Sequence, residues 1–198
     1  MQPDDITLLV LAGGQGRRMG GEDKGWTEFA GRPLIEHVLA RLHGQAGRAM
    51  ISANRSLPAY RALGHPVVED REGGYQGPLM GIWSGLCRAE TPWVAVVPCD
   101  TPLLPRDLVS RLAAGTGGHD IGMAHDGERS HPVVALLKRD LAGDLGEALA
   151  QGERKIGRWY ERHAWCPVDF SDCPESFANL NSPQDREWLT GWLSDSSA

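Results

Sequence analysis

Residues 6–12, ITLLVLA, form a nearly unbroken apolar run that stops at Gly13-Gly14. A strand wetted on one face alternates apolar and polar residues. An unbroken run predicts a strand covered on both faces, as in the middle of a parallel sheet. Parallel pairing requires crossover connections, usually helices, and the downstream pattern supplies them. Further strands are predicted at 48–53, 66–69, 93–97, 120–124, 131–138, 164–169 and 176–180. Helices are predicted from Pro33 to Leu42, at 59–63, up to about Ala89, and at 105–113, 141–149, 155–162 and 184–193. The alternation predicts an α/β chain: a single Rossmann-like domain over residues 1–198, with a mostly parallel central sheet and helices on both faces.

Open α/β sheets bind ligands beyond the carboxyl ends of their strands. Polar, glycine-rich segments follow Ala12, Ala53, Glu69 and Val97. Four such loops at one sheet edge predict a site. The first reads Leu11-Ala12-Gly13-Gly14-Gln15-Gly16-Arg17-Arg18-Met19-Gly20-Gly21. It is not a dinucleotide fingerprint, because Met19 stands where the third glycine belongs. It is not a P-loop, because Asp23-Lys24-Gly25 replaces the G-K-[S/T] ending. It matches the L-A-G-G-x-G-x-R-M loop of enzymes that attack the α-phosphate of a nucleoside triphosphate. Glycines let backbone N–H groups approach phosphate oxygens. Arg18 and Lys24 add positive charge where pyrophosphate would leave. The alternative is a strand-to-helix turn in which the glycines serve only the backbone.

The acidic partners stand at other strand tips. Asp100, after Val97-Pro98-Cys99, would face the glycine loop and offer Mg²⁺ a hard oxygen; the alternative is a cap for the helix near Pro105 or for a turn. Asp70 is either a nucleotide or metal contact or a turn-initiating Asx residue. Asn179 and Asn181, two apart on an extended segment, could read the edge of a heterocycle or cap a following helix. Gly77-Pro78-Leu79 would let a large flat ligand lie close to the backbone. His131, at the start of a strand beside Pro132, reads as structural. No Ser–His–Asp or Cys–His arrangement is visible.

Composition excludes other classes. The net charge of −6, with scattered basic residues, argues against nucleic-acid binding. The four cysteines include no C-x-x-C pair, so a zinc site or disulfide framework is not expected. No run reaches membrane-spanning length, and the N-terminus lacks the basic region of a signal peptide. A cytoplasmic location is therefore expected.

The segments LAGGQGRRMGGEDKG, ISANR, VVEDREGGYQGPLMG, VPCDTPLLP, DGERSHPVVAL, GERKI and VDFSDCPESFANLNSPQD occur in that order. Together the chain resembles the bacterial molybdenum cofactor guanylyltransferases, of the nucleotidyltransferase superfamily, from Leu8 to about Asp185. The glycine loop alone indicates the superfamily; ESFANLNSPQD with GPLMG indicates the molybdopterin branch. The resemblance implies a nucleotidyltransferase fold and transfer of GMP from GTP to molybdenum-molybdopterin with Mg²⁺. It places Leu11, Ala12, Gly13, Lys24, Asp70 and Asp100 on the nucleotide and Asp100 on the metal. The chemistry of the residues adds the rest: Gly14 beside the nucleotide, Arg18 with Lys24 and Asp100 as catalytic groups, and Gly77, Pro78, Leu79, Asn179 and Asn181 on the pterin. The family often has asparagine where this chain has Ser52, and Asn54 could supply the amide contact. Sister cytidylyltransferases usually read L-A-A-G, so Gly13 favours guanine. Implied protein partners are molybdenum-insertion proteins and apo-molybdoenzymes. The rival readings are a transferase using CTP or a sugar phosphate, and a non-catalytic GTP- or cofactor-binding protein.

Overall fold

The apolar run forms strand β1 (Ile6–Leu11), in which Ile6 through Val10 are all buried. Its side chains part by alternation. Leu8 and Val10 join the apolar cluster on one face of the sheet, and Leu9 joins the cluster on the other. Strand β6 (Trp93–Pro98) divides in the same way, with Ala95 and Val97 opposite Val94 and Val96. Central parallel strands read as nearly continuous apolar runs because helices cover both faces; the buried Thr7 of β1 is matched by Thr91, their hydroxyl oxygens 2.6 Å apart. The computed structural model of the chain describes residues 1–13, 23–72, 77–181, 185 and 187.

After β1 come a two-stranded ribbon, β2 (Glu28–Phe29) with β3 (Arg32–Pro33), then α1 (Leu34–Arg41), β4 (Arg48–Ser52), α2 (Leu57–Ala62) and β5 (Val67–Val68). Helix α3 (Pro78–Arg88) leads to β6, and α4 (Leu108–Gly115) to β7 (Ile121–His125) and β8 (Ser130–Lys138). Helices α5 (Ala142–Ala150) and α6 (Ile156–Tyr160) precede β9 (Trp165–Asp169). The seven-stranded sheet has the order β5-β4-β1-β6-β8-β7-β9. Six strands run parallel, and β8 is antiparallel to both its neighbours. The mostly parallel α/β fold expected from the sequence is the one observed.

Residues of α1 and α4 fill one face (Ile35, Val38, Leu108, Leu112), and residues of α3, α5 and α6 fill the other (Ile82, Leu86, Leu145, Trp159). Helix α3 lies so close to β1 that a methyl group on Gly85 would overlap the buried side chain of Leu9. From β1 the chain moves outward to β4 and β5, then returns through α3 to β6 on the other side of β1. The carboxyl ends of β1 and β6 therefore flank a topological switch point, the usual ligand crevice of such sheets.

One local expectation changes. The strand expected at 176–180 is a 3-10 turn over Pro174–Phe177 followed by residues that pair with no strand. Pro174 cannot donate a ladder hydrogen bond and sits in the first turn of this short helix. The helix expected at 184–193 falls outside the described residues except for 185 and 187.

Candidate active site

Strand register decides which tips meet. Leu11 is paired with Ser52 on one side and Pro98 on the other, and Ser52 with Val68. The backbone stays joined just beyond the tips. Ala12 N–H donates to Ser52 O at 2.8 Å, Ala53 N–H to Val68 O at 3.0 Å, and Cys99 N–H to Leu11 O at 3.0 Å. The loops after β1, β4, β5 and β6 thus leave from one edge.

On the β4–β5 side, Asn54 and Asp70 clasp each other. Asn54 Nδ2 donates to Asp70 Oδ2 at 2.8 Å, and Asp70 N–H donates to Asn54 Oδ1 at 2.8 Å. Burial raises the pKa of Asp70 above the usual carboxylate value, and the Asn54 amide partly opposes this. Gly13 lies beside them: a methyl group there would stand 3.2 Å from Asn54 Nδ2. Leu11 and Ala12 form the floor, with the Leu11 carbonyl and the Ala12 amide already used by Cys99 and Ser52. Gly14 and Arg18 fall outside the described residues.

Ser52, expected to contact the nucleotide, is buried, and a methyl group on Gly81 would stand 2.7 Å from its hydroxyl oxygen. Its side chain sits beneath α3, and its carbonyl holds Ala12. Leu79, expected on the pterin, is buried as well. Gly77 and Pro78 are exposed at the start of α3, but Leu79 is fully buried in the core, because the next helical position turns inward to the sheet.

On the β6 side, Lys24 joins three segments. Its Nζ donates to Asp100 Oδ2 at 3.1 Å and also to Asn181 Oδ1. Asp100 is not a helix cap; the cap position of α4 is Asp107. The Asn181 segment is fastened twice more, by Leu180 N–H to Asp100 O at 2.8 Å and Thr101 Oγ1 to Asn179 Oδ1 at 2.7 Å. Asn179 and Asn181 therefore have their side-chain carbonyl oxygens engaged. Lys24 itself opens a 3-10 turn (Lys24–Trp26) whose cap, Asp23, accepts from Gly25 N–H at 3.3 Å and from the buried Tyr60 hydroxyl at 2.6 Å. Sequence reasoning missed Asp23, Tyr60 and Thr101. Asp23 and Thr101 adjoin predicted site residues, but nothing local pointed to Tyr60.

Among the described residues, no three His, Cys, Asp or Glu side chains gather as a metal site. Asp100, with a side chain 15% exposed, presents one carboxylate at the crevice. A single carboxylate fits a hard cation that draws most of its shell from phosphate oxygens and water, as Mg²⁺ does. It does not fit a tetrahedral zinc centre. His131 is held by Asp126 at 2.7 Å, in keeping with its structural reading.

Residues 8–165 match the family model for the MobA-like NTP transferase domain. The chain is 42% identical over 187 residues to the molybdenum cofactor guanylyltransferase of Shewanella piezotolerans, covering 93% of this chain and 92% of that one. To the enzyme of the same name from Shewanella loihica it is 43% identical over 187 residues, covering 93% and 95%. The fold is that of the molybdopterin-guanine dinucleotide biosynthesis protein A from Archaeoglobus fulgidus, with a TM-score of 0.78, 24% identity, and 96% and 99% of the two chains covered. A 4-diphosphocytidyl-2C-methyl-D-erythritol synthase from Anaerococcus prevotii shares it at a TM-score of 0.78 and 10% identity, with 97% of each chain covered. With a family model over most of its length and relatives above 40% identity across 93% of it, the chain belongs to the molybdenum cofactor guanylyltransferases, within the MobA-like NTP transferases.

Proposed function

We propose that the chain transfers GMP from GTP to molybdenum-molybdopterin. The terminal phosphate of molybdopterin attacks the α-phosphorus of GTP. The bond to the bridging oxygen of the β-phosphate breaks, and pyrophosphate leaves with that electron pair. The product is molybdopterin guanine dinucleotide. The attacking phosphate is anionic at neutral pH, so no strong general base is required. Catalysis then consists of alignment and charge neutralisation. The observation that carries this reading is the Lys24–Asp100 pair, 3.1 Å apart at the switch point between β1 and β6.

Lys24, with Arg18 from the glycine loop, balances charge on the triphosphate and on departing pyrophosphate. Asp100 would hold Mg²⁺, which when bound supplies further neutralisation of phosphate charge. Asp70, oriented by Asn54, reads the base. Guanine carries adjacent N1–H and N2–H donors that a carboxylate can accept together, whereas the corresponding edge of cytosine offers one amino donor. Gly13 and Gly14 lie along the triphosphate. Gly77, Pro78 and the NH₂ groups of Asn179 and Asn181 serve the pterin.

The same proposal makes residues 1–198 one nucleotidyltransferase domain acting in the cytoplasm, with molybdenum-insertion proteins and apo-molybdoenzymes as partners. No described helix is long and apolar enough to cross a membrane. The test is incubation of the chain with molybdopterin, Mg²⁺ and α-labelled GTP or CTP. Label entering a dinucleotide with matching pyrophosphate release from GTP is expected. Efficient use of CTP, or GTP binding without pyrophosphate, would refute the proposal.

A further inference from the structure

The hairpin between β7 and β8 holds a buried charge that the chemistry above leaves unused. Asp126 is buried. Its Oδ1 accepts from Glu128 N–H at 2.9 Å and Arg129 N–H at 2.8 Å, and its Oδ2 lies 2.7 Å from His131 Nε2. An ionised carboxylate only accepts, so Nε2 carries the proton. The His131 ring, so fixed, stacks on Phe177 with centroids 4.6 Å apart and planes at 23°. Phe177 also meets Phe170 edge-on at 5.3 Å. It ends the 3-10 turn Pro174–Phe177, and the chain runs from it directly into Asn179, Leu180 and Asn181.

The two backbone contacts to Oδ1 are those of an ordinary Asx turn at a hairpin tip. The contact from Oδ2 to the His131 ring lies outside that turn and fixes a side chain on the following strand. The strand also departs from regular pairing to deliver the ring. Met123 is paired with Ala135, but the next residue, Ala124, is paired with His131. The intervening stretch of β8 forms a bulge, and the Pro132 carbonyl within it accepts from Tyr160 Oη at 2.9 Å. Bulges re-aim side chains and recur beside active sites. Here the bulge ends at the residue that bears on Phe177.

We propose that Asp126, His131 and Phe177 form a strut that sets residues 178–181 against Asp100 and Lys24, making His131 a positioning residue for the second substrate. The proposal rests on the assignment of Asn179 and Asn181 to molybdopterin made above. It explains why the chain holds this segment from two sides. Thr101 and Asp100 fasten it at the β6 tip, and the ring stack fixes where it enters.

The test uses the full chain with His131→Ala, with His131→Phe to restore a ring face against Phe177, and with Asn181→Ala for comparison. GTP and molybdopterin are titrated separately by calorimetry, and the backbone amide resonances of Asn179, Leu180 and Asn181 are followed by NMR. His131→Ala should shift those amides and weaken molybdopterin about tenfold while GTP changes less than about twofold. His131→Phe should recover most of the loss. If His131→Ala fails to fold, Asp126→Asn/His131→Leu removes the buried charge along with the ring and carries the same comparison. Unmoved amides, or equal weakening of both ligands, overturn the strut. Moved amides with molybdopterin affinity intact support the strut and overturn the ligand assignment; Asn181→Ala would then also leave molybdopterin unaffected.

Discussion

Gly13 lies against Asn54 so closely that a methyl group would stand 3.2 Å from the Asn54 amide nitrogen. That nitrogen is the donor that holds Asp70. Replacing the glycine therefore acts two residues away, through the clasp that orients the base-reading carboxylate. Gly13→Ala should weaken GTP binding by about 1–3 kcal/mol, the usual range for overpacking. CTP should be affected less, so the preference between the two nucleotides narrows. Calorimetry with both triphosphates measures it, and an equal loss for both would remove Asp70 from base selection.

The raised pKa of Asp70 gives GTP binding a pH dependence. Guanine donors need the carboxylate form. As pH falls through the raised folded value, the carboxyl takes up a proton and GTP affinity should drop. The effect on folding has the opposite sign, because burial disfavours the charged form and protonation relieves that penalty. GTP dissociation constants measured from neutral pH down into the acid range should rise more steeply for the parent chain than for Asp70→Asn. Parallel curves would show that another group sets the slope.

Lys24 touches both Asp100 and Asn181, so the nucleotide and pterin ends of the site share a residue. Lys24→Ala should weaken GTP binding and slow the chemical step, because charge grows on the leaving pyrophosphate. Asp100→Asn should cut Mg²⁺-supported turnover by orders of magnitude while the fold survives. Asn181→Ala should mainly weaken molybdopterin, by about 1–3 kcal/mol for a buried hydrogen bond lost. Because Asn181 and Lys24 are in contact, the double variant should not be additive, with a coupling energy of about 0.5–3 kcal/mol. Strict additivity in the GTP dissociation constants would mean that the contact does not transmit between the ends.

Asp126 should make the chain sensitive to acid. Burial pulls its pKa upward, but the amides of Arg129 and Glu128 together with His131 outweigh burial and hold the carboxyl well below the usual range. A carboxyl depressed in the folded state contributes stability that is fully present above its unfolded value of about 3.9 and is lost as pH falls towards the folded value. The urea midpoint should therefore fall as the pH drops from about 4 towards the depressed folded value, and less steeply in Asp126→Asn. Asp126→Asn should also be less stable than the parent at neutral pH. Identical pH profiles would assign the acid response to other carboxylates.

What the sequence made legible follows from the range of each signal. Residues 6–12 announced a central strand because burial on both faces leaves an unbroken apolar run. Asp100 was visible as a strand-tip carboxylate because the run before it ends so sharply. The Asn54–Asp70 clasp was not legible as a pair, since it depends on β4 lying beside β5 in one register. The burial of Leu79 was not legible, because the tripeptide with Gly77 and Pro78 does not reveal which side of α3 faces the sheet. The burial of Ser52 was hidden for a related reason: its neighbour, Gly81, lies across a crossover. The Lys24–Asn181 contact joins residues from opposite ends of the chain, and no local pattern encodes it.

The sheet order also bears on how the chain comes to be folded. Strand β1 is made before both of its neighbours, yet it lies inside the sheet and is paired along both edges, with β4 on one side and β6 on the other. Ile6 cannot meet Trp93 until the chain through β6 has been synthesised. Through that interval on the ribosome, one edge of β1 waits without its partner, and long-range parallel pairing of this kind is intrinsically slow and prone to aggregation. A nascent chain of this topology depends on β6 arriving promptly, so a pause in translation ahead of Trp93 would lengthen the exposure of β1.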